Sequence, residues 1–255
     1  ATAGHVDHGK SSLVQALTGV NPDRFEEERR RGLTIDLGFA HTSLAKGSDI
    51  SFIDVPGHVR FLRNMLAGVG GVDACMFVIA ASEGWKPQSE EHLRILQLLG
   101  LRHGIVVLTK TDLVDDEFRE LQALDVRERL AGTFLADAPI IDVSATVGTG
   151  LDTLRVALVE LVTTAPAAID RGRPRLWIDR VFAAKGSGTV VTGTLTDGSI
   201  QVDDQMQAGA HQVRVRGIQS HGEGHEAIGP GNRVALNLAG VDHTQLQRGN
   251  AVFRQ

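Results

Sequence analysis

Gly4-His5-Val6-Asp7-His8-Gly9-Lys10-Ser11 opens the chain and fits the spacing G-x-x-x-x-G-K-[ST]. In such a loop successive backbone N–H groups converge on phosphate oxygens, and the glycines let the backbone approach closely. The spacing predicts that Lys10 reaches the β- and γ-phosphates and that Ser11 offers its hydroxyl to Mg2+. A helical period starts directly behind the loop, at Leu13, Val14 and Leu17, as that geometry requires. Only Ala1-Thr2-Ala3 remain of the strand that should lead into it, so the native chain is expected to start a few residues earlier. The competing reading is a chance match in a chain with 29 glycines.

The sequence beyond the loop decides between the two. The apolar runs Ser51–Val55, Ala74–Ala81, Ile105–Thr109 and Pro139–Val143 alternate with segments of helical period. Leu151, Leu154, Leu158 and Leu161 share one helix face, Phe61, Leu62, Met65 and Leu66 form i, i+4 pairs, and Pro87 suits the first turn of a helix carrying Leu93, Leu96 and Leu99. Alternating strands and helices predict a mainly parallel sheet with helices on both faces, whose ligands bind at the strand ends. Chemistry-bearing residues sit at those ends. Asp54-Val55-Pro56-Gly57 follows a strand: Asp54 can hold Mg2+ through water, and the Gly57 N–H can sense a γ-phosphate. Thr34, in the charged stretch Arg31-Gly32-Leu33-Thr34, can add a second hydroxyl to Mg2+. Thr109-Lys110-Thr111-Asp112 follows another strand, and the Asp112 carboxylate can accept from the guanine N1–H and exocyclic amine; alone it would read equally well as a turn residue. A backbone N–H at Ser144-Ala145 can meet the guanine O6.

Residues 164–174 (TAPAAIDRGRP) end the leucine periodicity and read as a linker. Beyond it the period becomes two, in short runs holding Leu176, Ile178, Val190, Val191, Val213, Val215, Val234, Leu236 and Leu238. Gly186-Ser187-Gly188 and Thr196-Asp197-Gly198 read as turns between them, which predicts a small closed barrel. The expected domains are therefore 1–165 and 174–255. With 255 residues the chain can hold two cores, and its net charge of −5 restricts any nucleic-acid contact to local patches. A single cysteine excludes an internal disulfide framework and points to a reducing, cytoplasmic setting. No apolar run approaches the roughly 18 residues of a membrane span, and the N-terminus has no secretory pattern.

On His5-Val6-Asp7-His8-Gly9-Lys10 and Asp54-Val55-Pro56-Gly57-His58 the chain resembles the translational GTPases of the elongation factor Tu class, over essentially its whole length. The stretches Leu33–Ala40, Phe61–Asp73, Ile178–Phe182, Gly186–Thr194 and Arg233–Asn237 are most similar to the selenocysteine-specific branch of that class. So is Thr109, which stands where the class usually has asparagine. A hydroxyl cannot present both the donor and the acceptor of an amide, so guanine selectivity falls mainly to Asp112 and Lys110.

The resemblance implies a P-loop GTPase domain followed by a translation-factor β-barrel. GTP or GDP is assigned to Val6, Asp7, His8, Gly9, Lys10, Ser11, Ser12, Thr34, Gly57, Thr109, Lys110, Asp112, Leu113, Ser144 and Ala145, and Mg2+ to Ser11, Thr34 and Asp54. His58 would position the attacking water, gated by Val6 and Leu33 until the ribosome acts. Asp179, Arg180 and Arg233 map onto the pocket for the selenocysteinyl group of the tRNA; the plainer reading is a strand-end ion pair. The implied function is delivery of selenocysteinyl-tRNA to the ribosome by a monomer. The alternatives are a general elongation factor, an initiation-factor tRNA-binding subunit, or a GTP-regulated binding module without useful hydrolysis. The class has a third barrel, and this branch adds domains that read an mRNA hairpin. Both would lie beyond residue 255, so the chain is expected to be a fragment that does not recognise the hairpin.

Three remaining features read as ordinary. His221-Gly222-Glu223-Gly224-His225 looks like a hairpin tip rather than a metal site. Cys75 looks like an inert core thiol. Residues 26–31 read as a charged part of the first switch or a solvated helix face.

Overall fold

The structure, a computed structural model, describes residues 1–23, 27–28, 34–44, 49–57, 71–184 and 188–254. His58, Arg31-Gly32-Leu33, Phe61–Gly70 and Gly186-Ser187 lie outside them. The chain divides into two compact units, one ending at Pro166 and the other running from Ala167, with residues 71–72 grouped in the second.

The first unit is built on four parallel strands in the order β1 (Thr2–Ala3), β4 (Ala74–Ala80), β5 (His103–Thr109), β6 (Ile140–Asp142). Beside them β2 (Gly38–Ser43) and β3 (Asp49–Asp54) form an antiparallel pair. Every residue of β4 from Cys75 to Ala80 is buried, as expected of a parallel strand covered on both faces. Met76 and Val78 join Ile105 and Val107 of β5 against Leu13, Val14 and Leu17 of helix α1 (Lys10–Thr18) and Leu154 and Leu158 of helix α4 (Leu151–Thr164). Residues of the opposite parity, Cys75, Phe77, Ile79, Val106 and Leu108, are equally buried. So are Leu93 and Leu96 of helix α2 (Pro87–Leu98), and Val126 and Leu130 of helix α3 (Asp116–Leu130). Pro87 occupies the first turn of α2, where its missing N–H costs nothing. Leu99, expected within this helix, is instead the residue that closes it and is 42% exposed.

In the second unit β11 (Gln205–Ala208), β16 (Ala251–Phe253), β7 (Arg175–Trp177), β9 (Gly188–Thr196), β15 (Arg233–Ala239) and β12 (His211–Ser220) pair in that order. Pairing of β11 with β12 closes the ring into a six-stranded antiparallel barrel. Strand β8 (Arg180–Ala184) pairs β9, and β13 (Glu223–His225) pairs β12. Burial alternates strictly along β15, so Val234, Leu236 and Leu238 point inward, meeting Val191, Leu195, Val213 and Val215. The end of the linker is tied to this barrel: the Arg171 and Arg173 N–H groups donate to the Asp197 carbonyl at 2.9 and 3.0 Å. His221 and Gly222 form the tip joining β12 to β13. No helix among the described residues is long and apolar enough to cross a membrane.

Candidate functional site

Residues 4–9 bridge β1 and α1. Gly4 adopts φ +139°, and a Cβ there would lie 2.1 Å from the Val78 carbonyl oxygen, so only glycine fits. Gly9, at φ +82°, leads directly into the first turn of α1, whose unpaired N–H groups face the loop. The loop lines a cleft of about 440 Å³ with Val6, Asp7, Gly9, Lys10, Ser11 and Ser12. Gln15, Asn21, Asp23, Glu28, Thr34, Gly57 and Lys110 complete the wall. His8 is fully buried beneath the loop, and burial lowers its pKa to about 4, so it is neutral.

Within the cleft a set of oxygens converges. Ser11 Oγ donates to Asp54 Oδ2 at 2.6 Å and lies 2.9 Å from Thr34 Oγ1. Thr34 Oγ1 in turn donates to Asp23 Oδ1 at 3.0 Å. Asp54 is held from behind by Thr2, whose hydroxyl donates to Oδ1 at 2.7 Å and accepts the Val55 N–H at 3.1 Å. Burial raises the pKa of both Asp54 and Asp23. Two hydroxyls and two carboxylates make a hard-oxygen set of the kind Mg2+ takes, and a divalent cation would relieve the cost of burying those carboxylates. Among the described residues no group of three or more His, Cys, Asp or Glu could hold a metal. Asp23 was not foreseen, because Asn21-Pro22-Asp23 reads from sequence only as a turn.

Lys10 is 5% exposed, and its Nζ donates to the Gly4 and His5 carbonyls at 3.1 and 2.8 Å. Burial is the largest influence on it and lowers its pKa to about 8. Thr109, 2% exposed, donates its hydroxyl to the His8 carbonyl at 2.7 Å, so it steadies the loop. Lys110 adopts φ +56° and pairs with Glu83 at 3.1 Å while lining the cleft. Asp112 and Leu113 follow in an exposed single turn, Thr111–Leu113. The Ser144 N–H donates to the Thr149 carbonyl at 3.0 Å. Cys75 is buried and its thiol is pushed up to about 12, consistent with a core residue.

The barrel carries a second polar cluster. Asp179 is 5% exposed, and its N–H donates to the Thr192 carbonyl at 2.8 Å. Its Oδ1 accepts from Thr192 Oγ1 at 2.5 Å, and both carboxylate oxygens accept from Arg233 Nη2 at 3.0 Å. Arg180 stands opposite Thr192 in the β8–β9 register, while Arg233 is opposite Thr194 on the other side of β9. Of the three residues singled out from sequence, Asp179 and Arg233 meet at Thr192, and Arg180 lies opposite Thr192 in the strand register. Arg248, not foreseen, donates Nε to the Asp179 carbonyl at 2.8 Å.

Residues 1–164 match the family described as the elongation factor Tu GTP binding domain. The selenocysteine-specific elongation factor of Desulfomicrobium baculatum is 47% identical over 253 residues, covering 98% of this chain and 40% of that protein. A crystal structure of bacterial selenocysteine-specific elongation factor EF-Sec matches with TM-score 0.95 and 36% identity, covering 99% of this chain and 44% of that one. Elongation factor SelB of Methanococcus maripaludis, solved with the GTP analogue GppNHp, matches with TM-score 0.89 and 31% identity, covering 100% of this chain and 54% of that one. The chain therefore spans about two fifths of the length of the curated relative.

Proposed function

The chain belongs to the family of the elongation factor Tu GTP binding domain, and we propose that it is the nucleotide-driven portion of a cytoplasmic, monomeric factor that delivers selenocysteinyl-tRNA to the ribosome. One observation carries the nucleotide part of this reading: the phosphate loop, Ser11, Thr34 and Gly57 line one cleft at the ends of β1 and β3, with the Asp54 carboxylate bonded to Ser11 just behind its wall. In the proposed mechanism GTP is the substrate, and Ser11, Thr34 and Asp54 would hold Mg2+, which would supply charge neutralisation on its phosphates. Lys10 exchanges its bonds to loop carbonyls for β- and γ-phosphate oxygens. The Gly57 N–H senses the γ-phosphate, and Asp112 with the Ala145 N–H selects guanine. His58 positions the attacking water, with Val6 and Leu33 keeping it aside until the ribosome completes the site. Phosphoryl transfer depends on such positioning more than on covalent chemistry, so turnover without ribosomes is slow.

The second cluster supports the cargo assignment. A selenol is largely ionised at neutral pH and a serine hydroxyl is not, so the guanidinium groups of Arg180 and Arg233 favour the selenolate. Asp179 holds Arg233 in place. The test is calorimetric titration of the full-length protein, in the GppNHp state, with selenocysteinyl-tRNA and seryl-tRNA. A preference for the selenocysteinyl form that disappears in Arg180→Ala or Arg233→Ala is the expected result. Equal binding of the two tRNAs by the unaltered protein would sink the cargo assignment and favour a general elongation or initiation role.

A further inference from the structure

Two side chains of α2 that the proposed mechanism does not use reach back to the phosphate loop. Gln88 and His92 lie one helical turn apart and so share a face. The Gly4 N–H donates to His92 Nδ1 at 3.0 Å, and the Val6 N–H donates to Gln88 Oε1 at 3.1 Å. Because Nδ1 accepts, the ring proton sits on Nε2, and hydrogen bonding to the Gly57 backbone favours the charged ring without overcoming its burial. His92 is 3% exposed, and burial, then the nearby Lys10 charge, lowers its pKa to about 3. The imidazole therefore keeps one donor and one acceptor throughout the neutral range. Gly57 is itself packed on the same loop: a Cβ there would lie 2.7 Å from both the Val6 nitrogen and Lys10 Nζ.

A neutral ring thus joins the first glycine of the phosphate loop to the glycine after Pro56, and Gln88 pins the residue between them in space. We propose that His92 and Gln88 are positioning residues which lock the phosphate loop and Gly57 into one register, and so set the preference for nucleoside triphosphate over diphosphate. A diphosphate meets the loop alone, whereas a γ-phosphate meets the loop and Gly57 together. A brace joining the two acts on the difference between the ligands, which is the quantity that governs a switch. The inference rests on the nucleotide reading given above.

The test measures dissociation constants for fluorescent GDP and GppNHp, with Mg2+, in four proteins, the unaltered chain and three variants. His92→Asn keeps an acceptor near Nδ1 but loses the donor toward Gly57. His92→Gln keeps a donor near Nε2 but loses the acceptor for Gly4. Gln88→Met removes the acceptor for Val6 at a half-buried position. Each is expected to lower the GppNHp-to-GDP preference by roughly fivefold, the worth of about one net hydrogen bond. A preference unchanged within about twofold in the folded variants overturns the proposal, as does an equal loss for both nucleotides, which is what a merely structural role would give. Thermal melts establish which variants fold, and if those at His92 do not, Gln88→Met decides alone. Failure of the unaltered chain to bind either nucleotide would instead refute the nucleotide reading.

Discussion

Lys10 holds a positive charge in a place where burial opposes it, with the Gly4 and His5 carbonyls as its hydrogen-bond partners among the described residues. Its pKa of about 8 lies below the 10.5 it has when unfolded. Between those values the unfolded chain binds more protons than the folded one, so stability of the nucleotide-free chain rises with pH there; below about 8 both forms are protonated and this slope vanishes. Phosphate oxygens would restore the charged form. Nucleotide binding is therefore expected to take up a proton above pH 8 and to weaken as pH rises. Calorimetric titration of GDP in two buffers of different ionisation enthalpy, at pH about 7 and about 8.5, reads this directly: uptake only at the higher value is the expected result. A different sign governs Arg233. Its partner Asp179 is 6% exposed on the side chain, and Thr192 supplies the other bond. Arg233→Ala leaves a buried carboxylate without its cation, and roughly 3 kcal/mol or more of stability should be lost. Arg180, at the start of β8, is only half-buried, and Arg180→Ala should cost less than about 1 kcal/mol. Urea unfolding of the two variants separates a residue that also supports the barrel from one that serves the ligand.

Along the elements, helix α4 shows what periodicity can and cannot convey. The spacing of Leu151, Leu154, Leu158 and Leu161 places four leucines on one face, and the middle two are buried at 0 and 2% exposure while the outer two pack at the edge of the cluster. Leu158→Ala should therefore cost about 2–5 kcal/mol. Val156→Ala, at a position 69% exposed, should stay within about 0.5 kcal/mol, both read by denaturant midpoint at constant slope. The parallel strands were legible because their apolar runs are continuous, and the barrel strands because theirs alternate. The phosphate loop was legible because its glycines and lysine are adjacent in sequence. Asp23, Gln88, His92 and Arg248 were not, since each acts through a contact that only the folded chain creates. Gln88 and His92 are separated from the loop residues they hold by 82 and 88 positions. The role of Thr109 was half visible. Its weakness as a base reader follows from the hydroxyl, but its bond to the His8 carbonyl depends on β5 running beside β4, which itself runs beside β1.

Among the described residues one apolar core gathers on β4 and β5 and another lies inside the barrel. Among the described residues the nucleotide cleft draws on the first unit, and the Asp179–Arg233 cluster on the second. A ligand stabilises the unit that binds it by RT ln(1 + [L]/Kd), which is about 2.7 kcal/mol at a hundredfold excess over Kd. For a unit of some 165 residues that corresponds to an upward shift of roughly 5–10 °C. Scanning calorimetry should show two unfolding transitions, of which Mg2+–GDP raises one by that amount and leaves the other in place. Arg233→Ala should lower the transition that GDP does not move. A single transition shifted as a whole by GDP, and again as a whole by Arg233→Ala, would mean that the two cores unfold as one cooperative body. In that case loss of the arginine would reach the nucleotide cleft, and the affinity for GDP measured near the melting temperature would fall with it.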